Sequence, residues 1–159
     1  MLKFRVYFVL SLFTTLGLLM AACSPAPTPV AITLTDGLNR AVTLHGSAQR
    51  IVSLAPSNTE LLYEVGAGAQ VIGRDDFSDF PAEVKSLAAV GGSMGKYNLD
   101  AIAALKPDLV LAAQINTPEQ VKSLEGLGLT VFYLNNPSHL VDLYQNLQIA
   151  ATADSGLDR

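Results

Sequence analysis

Hydrophobic and polar residues alternate one by one in two short segments near residue 40. Residues 31–35 and 41–44 show this alternation, and residues 36–40 between them (Asp-Gly-Leu-Asn-Arg) are rich in turn formers. A period of two on both sides of such a turn is typical of two strands joined tightly. The pattern therefore predicts a small β-hairpin.

After the hairpin, short apolar runs alternate with segments of helical periodicity. Buried strands are predicted at residues 51–54, 71–73, 108–112 and 130–134. Helix-start signals lie between the runs. Ser57 and Glu60 have the spacing of a capping box, Asn98 precedes an apolar stripe, and Thr117 and Gln120 form a second capping box.

Strands that alternate with helices form parallel sheets through right-handed crossovers. We therefore predict the α/β class: a mostly parallel, doubly wound sheet with helices on both faces, closed by a helix over residues 138–151. Ligands of such sheets bind beyond the carboxyl ends of the strands. Those ends are predicted at residues 55–58, 74–79, 113–116 and 135–137.

The first 30 residues differ in character from the rest. Two basic residues precede an apolar run over residues 6–20, and Ala21-Ala22-Cys23 closes the run. This layout predicts a lipoprotein signal peptide over residues 1–22, with Cys23 lipidated and the mature protein anchored outside the membrane. An ordinary signal peptide or an uncleaved anchor helix are the alternatives. Residues 23–30 contain three prolines and are predicted to form a tether.

Composition narrows the class of protein. The 159 residues are 50% hydrophobic, carry a formal net charge of −4 and include one cysteine. A single cysteine excludes a disulfide scaffold and a cysteine-based zinc ribbon. The only charged residues of the signal peptide are the basic Lys3 and Arg5, so the mature chain is more acidic than the full sequence and no nucleic-acid partner is expected.

One motif raises the alternative of an enzyme. Residues 91–95 (Gly-Gly-Ser-Met-Gly) match a nucleophile elbow around Ser93, with Asp108 and His139 following in the order of an α/β-hydrolase. An elbow needs a helix that leaves directly after the serine, but the next helix has its own cap at Asn98. We therefore predict no catalytic residues and keep a Ser93 hydrolase as the alternative.

The sequence contains no clear pattern for a metal or cofactor site. His45 and His139 each lie apart from other histidines and from the cysteine, so no metal site and no resident cofactor are predicted. The segment 75–80 combines three aspartates with two phenylalanines. It is either a solvated loop held by two aromatic rings or the wall of a ligand pocket.

Several motifs occur in an order typical of one family. They are Arg50-Ile51-Val52-Ser53-Leu54-Ala55-Pro56-Ser57-Asn58-Thr59-Glu60, Val90-Gly91-Gly92, Asn98-Leu99-Asp100, Leu105-Lys106-Pro107-Asp108-Leu109-Val110-Leu111 and Leu127-Gly128-Leu129-Thr130-Val131. With these motifs the chain resembles the substrate-binding proteins of ABC importers for iron-siderophores, haem and vitamin B12. The resemblance runs from about residue 32 to residue 153 and covers the N-terminal lobe of a two-lobed fold joined by a long helix.

The resemblance implies that the protein binds a ligand and does not catalyse a reaction. An extracytoplasmic protein of this family would bind a metal-containing chelate and deliver it to an ABC permease. Residues 31–153 would form the N-terminal lobe and residues 154–159 the start of the inter-lobe region. The second lobe is absent, so a fragment is expected. A single-lobe module that binds another protein is a further alternative.

The strand ends and the geometry of the family together nominate ligand-contact residues: Ser57, Asn58, Asp76, Phe77, Ser93, Lys96, Tyr97, Gln114 and Asn136. The resemblance also implies that Glu60 docks to arginines of the permease. Ser78-Asp79-Phe80-Pro81 is similar to a segment of cobalamin binders, which favours cobalamin slightly over a ferric siderophore or haem.

Overall fold

The computed structural model describes residues 31–92, 95–139, 142, 145–146, 148–149 and 151. The predictions for the signal peptide, Cys23, the tether, Ser93 and residues 154–159 lie outside the described residues. Across the described part, no helix is both long enough and apolar enough to cross a membrane.

The predicted hairpin is confirmed. Strands β1 (Ala31–Thr35) and β2 (Ala41–His45) pair antiparallel, with Thr33 opposite Thr43. One face of the hairpin is buried and the other is exposed, as the alternation requires. Asn39 in the turn has a positive φ of 59°, a conformation that asparagine tolerates better than most residues.

The parallel sheet is also confirmed. It contains β3 (Ile51–Ser53), β4 (Val71–Arg74), β5 (Ala88–Ala89), β6 (Leu109–Ala113) and β7 (Val131–Leu134) in the spatial order β5-β4-β3-β6-β7, and every pairing is parallel. Strand β5 was not predicted, because two exposed alanines carry no periodic signal. Every residue of β3, β6 and β7 is buried.

Three helices connect the strands: α1 (Pro56–Glu64), α2 (Leu99–Ala104) and α3 (Pro118–Gly126). Two 3₁₀ segments, Ala67–Gln70 and Ala82–Ser86, flank β4. Positions 142, 145–146, 148–149 and 151 have helical backbone, in agreement with the helix predicted there.

The predicted helix starts had different outcomes. The Asn98 side chain accepts a hydrogen bond from the Ala101 amide at 3.0 Å, and Thr117 and Gln120 form the predicted capping box. The prediction of a capping box at Ser57 is wrong. Helix α1 begins at Pro56, so its N-cap is Ala55 and not Ser57, and no side chain caps it. Proline suits the first helical position, because its fixed φ is helical and its missing N–H would have had no partner there.

The core lies on both faces of the sheet. On one face Ile51 and Leu109 pack with Leu62 of α1 and with the buried face of the hairpin. On the other face Val52 and Val110 pack with residues of α2 and α3. Successive residues of a strand point to opposite faces, so strands that are buried throughout need cover on both sides.

A buried carboxylate joins the hairpin to the sheet. Asp36 accepts hydrogen bonds from the Leu38 and Arg40 amides at 2.9 and 3.0 Å and forms an ion pair with the Arg40 guanidinium. Its second oxygen lies 3.3 Å from the Tyr133 amide of β7, and the Gly37 amide donates to the Tyr133 carbonyl at 2.7 Å. The hairpin turn therefore occupies the edge of the sheet that β7 would otherwise leave open.

The same contacts set the acidity of Asp36. Burial raises its pKa, but the hydrogen bonds from Arg40 and Leu38 and the positive charge of Arg40 outweigh burial, so the pKa lies below the ordinary 3.8. A carboxyl whose pKa is lower in the folded than in the unfolded chain stabilises the fold above its unfolded pKa. This contribution is lost as the pH falls through the folded value.

We predict that Asp36→Asn lowers the free energy of unfolding at neutral pH and flattens its decline in acid. The difference from the wild type should be constant above about pH 5 and shrink as the pH falls through and below 3.8. Urea unfolding monitored by circular dichroism from pH 7 to pH 2.5 measures it. Glu64→Gln, which alters an exposed carboxylate of α1, is the control. A difference that is independent of pH would contradict the role given to Asp36.

Candidate ligand site at the carboxyl edge of the sheet

Parallel strands end at one edge of the sheet, which we call the carboxyl edge and define by the segments 54–58, 75–81, 91–98, 114–117 and 135–139. Large apolar side chains are exposed here. Phe77, in the segment after β4, is 57% exposed and Ile115, after β6, is 60% exposed. Side chains of this kind at the ends of parallel strands are typical of a surface that binds a ligand or another surface.

A tight turn places Tyr97 at this edge. The Gly92 amide donates to the Lys96 carbonyl at 2.7 Å, and Gly91 and Tyr97 form an antiparallel bridge. Gly91 has a φ of +93°, and a Cβ there would lie 2.7 Å from the Lys96 carbonyl oxygen, so the turn requires glycine. The Tyr97 hydroxyl donates to the Leu54 carbonyl at 2.8 Å and thereby fastens the turn to the end of β3.

The surroundings of Tyr97 keep its hydroxyl protonated. Burial raises the pKa of Tyr97, the amide of Asn116 lowers it in part, and the charges of Asp75 and Asp76 raise it further. Asn116 is itself buried, and its Oδ1 accepts from the Ala113 amide at 2.7 Å. Its Nδ2 has no acceptor at hydrogen-bond geometry among the described residues.

Asp75 organises the segment after β4. It is buried, and one carboxylate oxygen accepts from the Phe77 amide at 3.0 Å while the other accepts from the Ser78 hydroxyl. The Ser78 hydroxyl lies 2.8 Å from the hydroxyl of Thr59, which lies in α1. The segment that exposes Phe77 is therefore held from beneath by buried polar contacts.

The structure brings most of the predicted ligand-contact residues to the carboxyl edge. Those with exposed side chains are Ser57, Asp76, Phe77, Lys96, Gln114 and Asn136. Tyr97 is half-buried with its hydroxyl turned inward. Asn58 lies inside the lobe, where its Nδ2 donates to the Leu111 carbonyl at 3.2 Å, so its amide holds α1 on β6.

A polar cavity of about 550 Å³ opens beside β7. It is surrounded by the hairpin turn, the end of β7 and residues 135, 138, 142, 145–146 and 149, and both Gln114 and Asn136 line it. Amide and carboxylate groups dominate this lining, in contrast to the exposed apolar rings near β4.

Residues that sequence reasoning missed are mostly buried polar ones: Thr59, Asn116 and, as an organising group, Asp75. One signal was present in the sequence. Ser53 interrupts an apolar strand, and a buried hydroxyl requires a partner. Nothing in the sequence says which hydroxyl supplies it. Ile115 was also missed, because a single apolar residue after a strand has no pattern.

The geometry argues against the hydrolase alternative. Asp108 lies before β6, at the amino ends of the strands, where it accepts from the Gln49 and Arg50 amides at 2.8 and 3.0 Å. His139 follows β7, at the opposite edge. The two side chains therefore do not form the acid–base pair of a triad. The α-helix that follows residues 91–95 starts only at Leu99, beyond the bridge between Gly91 and Tyr97, whereas a nucleophile elbow needs a helix directly after the serine.

The fold is a parallel α/β sheet with helices on both faces, and its carboxyl edge exposes apolar side chains. The sequence matches the periplasmic binding protein family over residues 51–153, and the chain belongs to that family. Its members are substrate-binding proteins of the extracytoplasmic space.

Individual relatives agree. The chain is 34% identical over 125 residues, 77% of its length and 39% of the relative's, to the uncharacterized ABC transporter substrate-binding lipoprotein YvrC of Bacillus subtilis. It superposes on the periplasmic vitamin B12 binding protein BtuF of Vibrio cholerae with a TM-score of 0.62 and 30% identity, covering 67% of this chain and 42% of that one. A periplasmic heme binding protein from Pseudomonas aeruginosa gives a TM-score of 0.59 and 29% identity, covering 65% and 37%. The chain thus spans about two-fifths of the length of its relatives.

We predict that Tyr97→Phe lowers the free energy of unfolding by about 1 kcal/mol, the usual net value of one lost hydrogen bond. Tyr63→Phe is the matched control, because the structure shows no hydrogen bond of the Tyr63 hydroxyl within the described part of the chain. Chemical denaturation of both variants measures the difference. Equal stability of the two variants would show that the bond to Leu54 does not hold the turn.

Proposed function

We propose that this chain is the ligand-capturing lobe of a substrate-binding protein that serves an ABC importer outside the cytoplasm. The observation that carries the proposal is the carboxyl edge. Phe77 and Ile115 are exposed in the segments of this edge, and so are the cationic side chain of Lys96 and the amides of Gln114 and Asn136. Apolar surface with a few convergent polar groups is the composition of small-molecule sites.

We propose a metal chelate with a large ring system as the ligand, cobalamin first and haem or a ferric siderophore second. Such ligands have broad apolar faces, which suit exposed phenylalanine and isoleucine, and polar rims, which suit amides. Carboxylate groups on a rim would pair with Lys96. The names of two solved relatives, a vitamin B12 binder and a heme binder, support this class of ligand. The metal belongs to the transported ligand, and the lobe itself is proposed to carry no resident cofactor.

We propose that Glu60 docks to the permease. Its side chain is exposed on α1, on the helix whose other side carries the buried Asn58, Thr59 and Leu62. A carboxylate on a rigid helix can accept paired hydrogen bonds from an arginine of a partner.

We propose that Cys23 carries the lipid anchor and that residues 23–30 hold the lobe away from the membrane. The small residues before Cys23 and the prolines after it support this, and so does the word lipoprotein in the name of the Bacillus subtilis relative. A membrane anchor would place the carboxyl edge within reach of a permease. No catalytic step is proposed.

We predict that Phe77→Ala and Ile115→Ala each weaken binding of the preferred chelate about tenfold, because each removes apolar surface worth roughly 1.4 kcal/mol when a ligand covers it. Titration of the chain with cyanocobalamin, hemin and ferrichrome, followed by absorbance and calorimetry, measures the affinities and selects the ligand.

Leu127→Ala is the matched control for this titration. Leu127 is an exposed apolar residue that follows α3, at the amino ends of the strands and away from the proposed site. Its truncation should leave affinity unchanged. The absence of binding to all three probes would overturn the proposal for this chain, and an equal loss in the control would overturn the assigned site.

We predict that Glu60→Ala reduces association with detergent-solubilised permease at least about tenfold, since a charged pair that loses one partner at an interface costs 2 kcal/mol or more. Co-purification and surface plasmon resonance measure this association. Glu64→Ala, an exposed carboxylate one turn further along α1, is the control and should bind normally. Normal association of the Glu60 variant would contradict the docking role.

A further inference from the structure

Four polar side chains form a buried hydrogen-bond network between α1 and the carboxyl edge. They are Ser53 at the end of β3, Thr59 in α1, and Asp75 and Ser78 in the segment after β4. Each of the four is at most 1% exposed. None of them reaches the surface, so none is available to touch a ligand.

Thr59 is the central residue of this network. Its hydroxyl oxygen lies 2.8 Å from the Ser53 hydroxyl, 2.8 Å from the Ser78 hydroxyl and 3.2 Å from the Ala55 carbonyl oxygen. This hydroxyl has a single proton to donate. Ser78 donates its own proton to Asp75, so the Ser78 oxygen accepts from Thr59, and the Ser53 oxygen and the Ala55 carbonyl compete for the same proton. The Thr59 hydroxyl joins β3, α1 and the segment after β4 at a single atom.

The hydrogen-bond network ends at the backbone amide of Phe77. Ser78 donates to one oxygen of the Asp75 carboxylate, and the other oxygen accepts from the Phe77 amide at 3.0 Å. The orientation of the carboxylate therefore determines where this amide lies. The Phe77 ring is 57% exposed, so packing does little to hold it and its position is set through the backbone.

We infer that Thr59 is a positioning residue for ligand capture. It holds Ser78, Ser78 holds Asp75, and Asp75 holds the Phe77 amide, so the aromatic side chain at the carboxyl edge is preorganised before a ligand arrives. Fixing a contact residue in advance removes an ordering cost from binding. The inference rests on the proposed function, because it names the residue that supports the ring assigned to the ligand.

A merely structural threonine would also lower stability when changed, so the test uses readouts specific to Phe77. Thr59→Val keeps the shape of the side chain and removes the hydroxyl, whereas Thr59→Ser keeps the hydroxyl. We expect Thr59→Val to speed hydrogen exchange of the Phe77 amide and to weaken chelate binding, each about fivefold to tenfold. Thr59→Ser should restore both to within about twofold of the wild type.

A double-mutant cycle decides whether Thr59 acts through Phe77. In the Phe77→Ala background, Thr59→Val should cause no further loss of affinity for cyanocobalamin or hemin, because the ring that it positions is gone. Thr43→Val is the matched control. It removes the threonine hydroxyl that lies 2.9 Å from the Thr33 hydroxyl on the exposed face of the hairpin, and it should change neither readout.

Each outcome decides the inference. An unchanged Phe77 amide in Thr59→Val, an equal loss of affinity in the Phe77→Ala background, or an effect as large in Thr43→Val would overturn it. If Thr59→Val does not fold, Ser78→Ala replaces it as the test variant, because it interrupts the same hydrogen-bond network at the next residue. If the wild type binds none of cyanocobalamin, hemin and ferrichrome, the proposed function fails, while hydrogen exchange at Phe77 still decides whether Thr59 holds this segment.

Discussion

Parallel pairing of the five strands is the constraint on which the rest of this lobe depends. Strands that run the same way need long crossovers, and in this chain helices α1, α2 and α3 lie in those crossovers. The crossovers cover both faces of the sheet and bury β3, β6 and β7 completely. All carboxyl ends then meet at one edge. The exposed side chains of Phe77 and Ile115 therefore lie at the same edge, although they are far apart in the sequence.

Buried polar groups make this edge definite. Hydrophobic burial supplies most of the stability but has no direction, whereas a buried carboxylate or hydroxyl has to find its hydrogen-bond partners. Asp36 fixes the hairpin turn on β7, and Asp75 fixes the segment after β4. Tyr97 connects the glycine turn to β3. The Asp36 and Tyr97 contacts each join a turn to the region of a strand, and the Asp75 contact fixes the segment after β4 internally.

The same helix serves two proposed tasks. The buried side of α1 carries Thr59, which supports the segment of Phe77, and its exposed side carries Glu60, the proposed docking residue. Helix α1 packs on the buried strands through Leu62 and is hydrogen-bonded to β6 through Asn58. The match to about two-fifths of the length of the relatives agrees with a single lobe.

The sequence by itself determined the class of fold, the hairpin, four of the five parallel strands and the caps at Asn98 and Thr117, because these follow from periodicity and from contacts within a few residues. It also predicted a ligand site at the strand ends. Tertiary structure alone decided the two-residue β5, the start of α1 at Pro56 and the inward turn of Asn58. It alone joined Thr59 to Ser78, 19 residues further along the chain. Tertiary packing determines such partners, because local sequence does not specify which buried hydroxyl will lie next to which carboxylate.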